Sequence, residues 1–87
     1  MKTIWKTTLN PFSTHVSLPE GAQHLSVKVQ KGEVVLYSLV DPVERKVVTS
    51  LYILGTGHDV PEDVGKFIGT FMLDEGDLVF HVFDVDE

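Results

Sequence analysis

No cysteine occurs among the 87 residues. That absence removes a disulfide framework, a thiolate zinc site and a thiol nucleophile. Long apolar runs are missing as well; the longest spans a few residues, against the roughly 20 a membrane-crossing helix needs. The opening Met1-Lys2-Thr3-Ile4-Trp5-Lys6 has no apolar h-region and reads as no signal peptide. Cations are scarce, seven Lys and Arg against thirteen Asp and Glu, for a formal charge of −6. A chain so charged is poorly suited to neutralising rows of phosphates, so duplex nucleic acid is not an expected partner. Helical periodicity is nearly absent too.

What is present suits one small globular domain over residues 1–87. Hydrophobic residues make up 43% and charged residues 23%, which argues against disorder. The charge is uneven. Residues 1–40 hold four lysines against two glutamates, +2, while residues 41–87 hold three cations against eleven acids, −8. Six of those acids fall in the last fourteen residues, in Asp74-Glu75-Gly76-Asp77 and in a short acidic tail, 84–87. Such a half either docks on a basic partner or keeps a hairpin turn and a tail solvated.

Period two dominates the chain. Strands are expected at 3–9, 14–18, 23–30, 33–40, 46–54, 66–73 and 78–85, separated by Asn-Pro, Pro-Glu-Gly, Lys-Gly, Asp-Pro and Asp-Glu-Gly-Asp breaks. In 23–30 the alternation assigns Leu25, Val27 and Val29 to one face and His24, Ser26, Lys28 and Gln30 to the other. Lys31-Gly32 suits a two-residue hairpin. Residues 34–40 are apolar on both faces, as in a central strand. Phe67, Phe71, Phe80 and Phe83 put four of five phenylalanines in the last hairpin, which should supply much of the core. Residues 60–65 suit one helical or 3₁₀ turn. The expected fold is all-β: a six- or seven-stranded antiparallel sandwich or barrel of sequential hairpins, in meander order. Small sheets have edges to cover, so a homo-oligomer is expected, the alternative being a monomer whose edges lysines blunt.

The candidate site is the loop Gly55-Thr56-Gly57-His58. Two glycines let backbone N–H groups turn inward as an anion nest, with Thr56 and His58 as added donors. Lys66 or Arg45 would add positive charge and Trp5 or Tyr52 a stacking surface. The competing reading is that the glycines merely let the chain pass from one strand to another. No Walker or dinucleotide fingerprint accompanies them. His15, His24, His58 and His81 stand singly, without metal-ligand spacing, and no nucleophile or carboxylate pair marks a catalytic centre. Neither a cofactor nor catalysis is expected.

Several segments together resemble a group of small uncharacterised proteins of tailed bacteriophages and prophages. They are Met1-Lys2-Thr3-Ile4-Trp5-Lys6, Gly55-Thr56-Gly57-His58 followed by Pro61, Phe67-Ile68-Gly69-Thr70-Phe71, and Leu78-Val79-Phe80-His81-Val82-Phe83. The resemblance spans nearly the whole chain and implies expression in the cytoplasm of an infected bacterium, without an assigned activity. By analogy with small phage proteins that hold immune nucleotides without cleaving them, the expected function is sequestration of a small anionic ligand. The alternatives are an acidic inhibitor of a basic host protein and a minor virion component.

Overall fold

The computed structural model describes residues 1–10 and 15–85. Seven strands follow in order: β1 (Thr3–Leu9), β2 (His15–Pro19), β3 (Gln23–Gln30), β4 (Glu33–Val40), β5 (Lys46–Gly55), β6 (Val64–Leu73) and β7 (Leu78–Val85). They form two antiparallel sheets, β1-β4-β3 and β2-β5-β7-β6. The molecule measures 40 × 33 × 17 Å, a thin slab two sheets deep rather than a closed cylinder. It is sandwich-like. The barrel alternative fails, since the two sheets do not close on each other, and so does the meander. Among the described residues only β3–β4 and β6–β7 pair as sequential hairpins; β1 reaches forward to β4, β2 to β5 and β5 to β7. Among the described residues no helix is long and apolar enough to cross a membrane.

Alternation explains the core. Leu9, Val27, Val34 and Leu36 face inward from the three-stranded sheet, and Val16, Leu18, Leu51, Phe71 and Val82 from the other. Phe71 stacks on Phe80 at 5.4 Å between centroids. The hairpin phenylalanines are split, however. Phe67 and Phe83 meet edge to face at 5.3 Å on the outer face of the four-stranded sheet, where Phe67 is 52% exposed. Pairing forces this, because Phe67 lies opposite Phe83 and Phe71 opposite Phe80. β4 is central, as its two apolar faces require, with Val35 buried on the outer face and Leu36 on the inner. Lys31 and Gly32 both take positive φ, 51° and 79°, the sign a type I′ hairpin turn demands at both central positions. Residues 61–64 close one turn through Val64 N–H to the Pro61 carbonyl. The expected start of β2 at Thr14 lies outside the described residues.

A bulge changes the face assignment in β3. Register slips between His24 and Ser26, leaving Leu25 as the extra residue. His24 therefore points inward and is buried, whereas Leu25 is 47% exposed. The reading that put Leu25 on one face with Val27 and His24 on the other is corrected by that single inserted residue, since His24 and Val27 are both buried. A further irregularity surrounds Ile68 in β6 and brings the two sheets together at one corner. There a Cβ on Gly69 would stand 2.9 Å from Val27 Cγ1 and 3.4 Å from Val27 N.

Candidate functional site

Strands β5 and β6 both run antiparallel to β7 and flank it, so residues 56–63 must cross β7. The inner face is filled by the core, and hydrogen bonds at both ends of the crossing lie on the outer face. Thr56 Oγ1 sits 2.8 Å from His81 Nε2, and Thr70 Oγ1 lies 3.0 Å from His81 Nδ1. At the far end the Tyr52 hydroxyl donates to Asp63. This bond chiefly, with desolvation and the Asp63 charge behind it, raises the Tyr52 phenol above its ordinary pKa. The Gly55–His58 segment is the take-off of that crossing strap.

Its backbone is not turned into an open nest. Thr56 N–H donates to the Val79 carbonyl at 3.2 Å and His58 N–H to the Gly55 carbonyl at 3.1 Å. Gly57 holds φ +90°, where a side chain would be strained. The His58 ring folds over Gly55, where a Cβ would stand 2.8 Å from it, and a side chain there would displace that exposed ring. The small pocket beside the loop, about 260 Å³, is shared with Asp77, an acid that would repel an anion. Nor do the supporting residues gather there. Arg45 precedes the ten-residue β5 and Gly55 ends it, a separation of roughly 30 Å at the rise of a strand. Arg45 Nε instead pairs with Glu20 at 3.0 Å. Trp5 is half-buried against the core with Lys46 Nζ 5.7 Å from its ring centroid. Lys66 is exposed on β6, toward the Phe83 end of the ladder. The sequence-derived constellation is thus dispersed over both ends of the four-stranded sheet and, with Trp5, onto the other sheet.

Two other places carry more concentrated chemistry. On the outer face of the three-stranded sheet, Lys6, Thr8, Gln30, Lys31 and Glu33 surround Val35 in a groove of about 470 Å³. Register creates it, by setting β1 against β4 and β4 against β3 beside the Lys31-Gly32 turn. The Tyr37 hydroxyl donates to Gln30 Oε1 at 2.7 Å, which leaves the Gln30 amide nitrogen free to donate. Thr8 Oγ1 lies 3.5 Å from Glu33 Oε2.

Between the sheets, His24 joins Ser38 and Asp84. Ser38 Oγ is 3.1 Å from His24 Nδ1, and Asp84 Oδ1 is 3.4 Å from His24 Nε2. Burial pushes the His24 imidazole below its ordinary pKa, with Asp84 pulling the other way. The order Ser–His–Asp invites comparison with a hydrolytic triad, but Ser38 is 0% exposed and no substrate carbonyl can reach it. Asp84 is instead the member in contact with solvent, in a cleft of about 480 Å³ of mixed lining, where Glu20, Thr49 and Ser50 stand beside Ala22 and three valines. Asp84 is therefore part of β7, not of a free tail; Asp86 and Glu87 lie outside the described residues.

Residues 1–87, the entire chain, match one family. The chain belongs to DUF7352, a domain of unknown function. No curated protein and no solved structure matches it. For a DUF7352 chain the geometry must carry the functional argument. Sequence reading missed His24, Ser38 and Asp84 because the bulge at Leu25 hides an inward position, and missed Lys6 with Lys31 because only register unites them. The one available signal for the groove was Gln30-Lys31-Gly32-Glu33, where a tight turn crowds polar groups.

Proposed function

We propose that this domain is a non-enzymatic phage accessory protein that sequesters a small anionic ligand, such as a nucleotide signal, in the Lys6–Lys31 groove. One observation carries the reading: Lys6, Lys31 and Gln30, whose amide nitrogen is unspent, line one concave surface with a buried apolar floor, Val35. Its volume lies in the range of small-ligand sites. Glu33 makes a bare inorganic anion a poor fit and favours an anion that also carries hydroxyl donors, as a sugar phosphate does. Phage origin and expression in the infected host's cytoplasm rest on the sequence resemblance, and binding without turnover on the inaccessibility of Ser38. A homo-oligomer belongs to the same proposal: β1 is a regular seven-residue edge strand without proline or bulge. Light scattering should give a mass at least twice 9.7 kDa.

The test of the groove is a thermal-shift screen with linear and cyclic nucleotides, repeated with Lys6→Ala/Lys31→Ala and with His58→Ala. A ligand at one hundred times its Kd adds about 2.7 kcal/mol to stability. The double lysine variant should lose the shift and His58→Ala should keep it. No shift with any nucleotide removes the nucleotide reading, and loss only in His58→Ala returns the site to the loop. Exposed acids at Asp74, Glu75 and Asp77 favour a second reading, docking on a basic host protein, whose affinity would fall steeply with salt.

A further inference from the structure

Opposite charges line the Lys6–Lys31 groove without neutralising each other. Its strand residues share one face of the three-stranded sheet, because opposed residues in an antiparallel ladder point the same way. Lys6 lies opposite Tyr37, Thr8 opposite Val35, and Gln30 opposite Glu33, while Glu33, Val35 and Tyr37 alternate along β4. Lys31 joins this row from the hairpin turn. Among the described residues neither lysine nor Glu33 enters an ion pair. Two lysines and one glutamate therefore leave the groove with a net positive charge and an unneutralised carboxylate. Glu33 accepts from the Thr8 hydroxyl at 3.5 Å through Oε2, a long hydrogen bond. A carboxylate offers about four lone-pair directions, so most of its acceptor capacity is unspent. Glu33 is also exposed, at the first position of β4.

A ligand that satisfies both signs needs an anionic group for the lysines and uncharged donors for the carboxylate. A second anionic group near Glu33 would be repelled, and an ammonium there would meet Lys31 close by in the chain. Sugar hydroxyls fit, and carboxylates hold ribose hydroxyls in this way in dinucleotide-binding folds. We infer that Glu33 reads the ribose of the bound anion and makes the groove selective for ribonucleotides over 2′-deoxyribonucleotides. The inference rests on the groove being the binding site. The phosphate lies on Lys6, Lys31 and the Gln30 amide, the sugar lies over Val35, and the 2′- and 3′-hydroxyls donate to Glu33. A 2′-deoxy sugar leaves one of those acceptors without its donor.

The test is calorimetric titration of the full chain at constant ionic strength. The titrants are the four ribonucleoside 5′-monophosphates, their 2′-deoxy counterparts and inorganic phosphate. At least one ribonucleotide should bind about tenfold more tightly than its 2′-deoxy counterpart, the effect of one hydrogen bond to a charged acceptor. Glu33→Ala removes the acceptor and the negative charge at an exposed position. In that variant the two sugars should bind within about twofold of each other, whereas inorganic phosphate should bind about threefold or more tightly than to the wild type. The gain for phosphate shows in the same sample that the variant's groove is folded. Lys6→Ala/Lys31→Ala should abolish binding of both sugars. Equal wild-type affinities for the two sugars, or a preference that Glu33→Ala leaves intact, would overturn the inference and leave the groove as the site. Absence of binding by every nucleotide, or binding that the double lysine variant retains, would remove the groove and this inference with it.

Discussion

Replacing Gly69 by alanine probes the corner where the two sheets touch. The new Cβ would stand 2.9 Å from Val27 Cγ1, 3.4 Å from Val27 N and 3.7 Å from Val27 O. The methyl contact could be relieved by a rotation of Val27, but the backbone contacts on the same residue leave little room to retreat. Val27 is itself only 5% exposed, packed in the core. Overpacking of this kind costs about 1–3 kcal/mol. The alanine also restricts the unfolded chain, which returns about 0.4–1 kcal/mol. A net loss of roughly 1–2 kcal/mol remains, which at this size lowers Tm by about 4–16 °C. Gly69 does not sit at positive φ, so backbone strain does not confuse the result. Urea unfolding followed by circular dichroism measures the change. Val27→Ala alone should cost roughly 2 kcal/mol through lost burial and a cavity. In the double variant the alanine methyl occupies part of that cavity, so the two losses should fall short of their sum by about 1 kcal/mol or more. A Gly69→Ala protein as stable as the wild type, or strictly additive losses, would refute the close approach of β6 to β3.

Other expectations follow from the same packing. His24 is held below the ordinary imidazole value of 6.5, so the unfolded chain binds its proton first as pH falls. The stability associated with a neutral His24 is complete above 6.5 and is lost on acidification toward its folded value; the wild-type minus His24→Gln difference in urea midpoints, compared at pH 7.5 and 5.5, should reveal that slope. Tyr52 is raised above 10.0, first by its hydrogen bond to Asp63, so this contribution is held below pH 10 and lost as pH rises through the raised value. Ultraviolet titration should show Tyr52 ionising at lower pH in Asp63→Asn than in the wild type. Leu36→Ala empties a fully buried position and should cost about 2–5 kcal/mol in urea unfolding, whereas a change below 1 kcal/mol would contradict its placement on the inner face.

The strand content was readable because alternation is a local property: each of the seven runs declares its period within a few residues, and Lys31-Gly32 declares its turn through two φ angles. Glycines 55 and 57 likewise announced a departure from regular structure. What they departed toward was not local. The strap over β7 exists because β5 and β6 lie on either side of β7, a pairing among residues far apart in the chain. Long stretches of sequence likewise separate Lys6 from Lys31, and His24 from Asp84. Faces were the other undetermined quantity. Period two divides a strand into two sets without saying which set is inside, and one bulge at Leu25 exchanges them. That is why His24 shares the buried face with Val27 instead of opposing it, and why Phe67, with the same side chain as Phe71, lies outside. Composition and alternation determined that this chain would be a small all-β domain, because those signals act over neighbours. Only the tertiary structure decided which polar residues share a groove, because side chains from different strands meet through register and sheet packing alone.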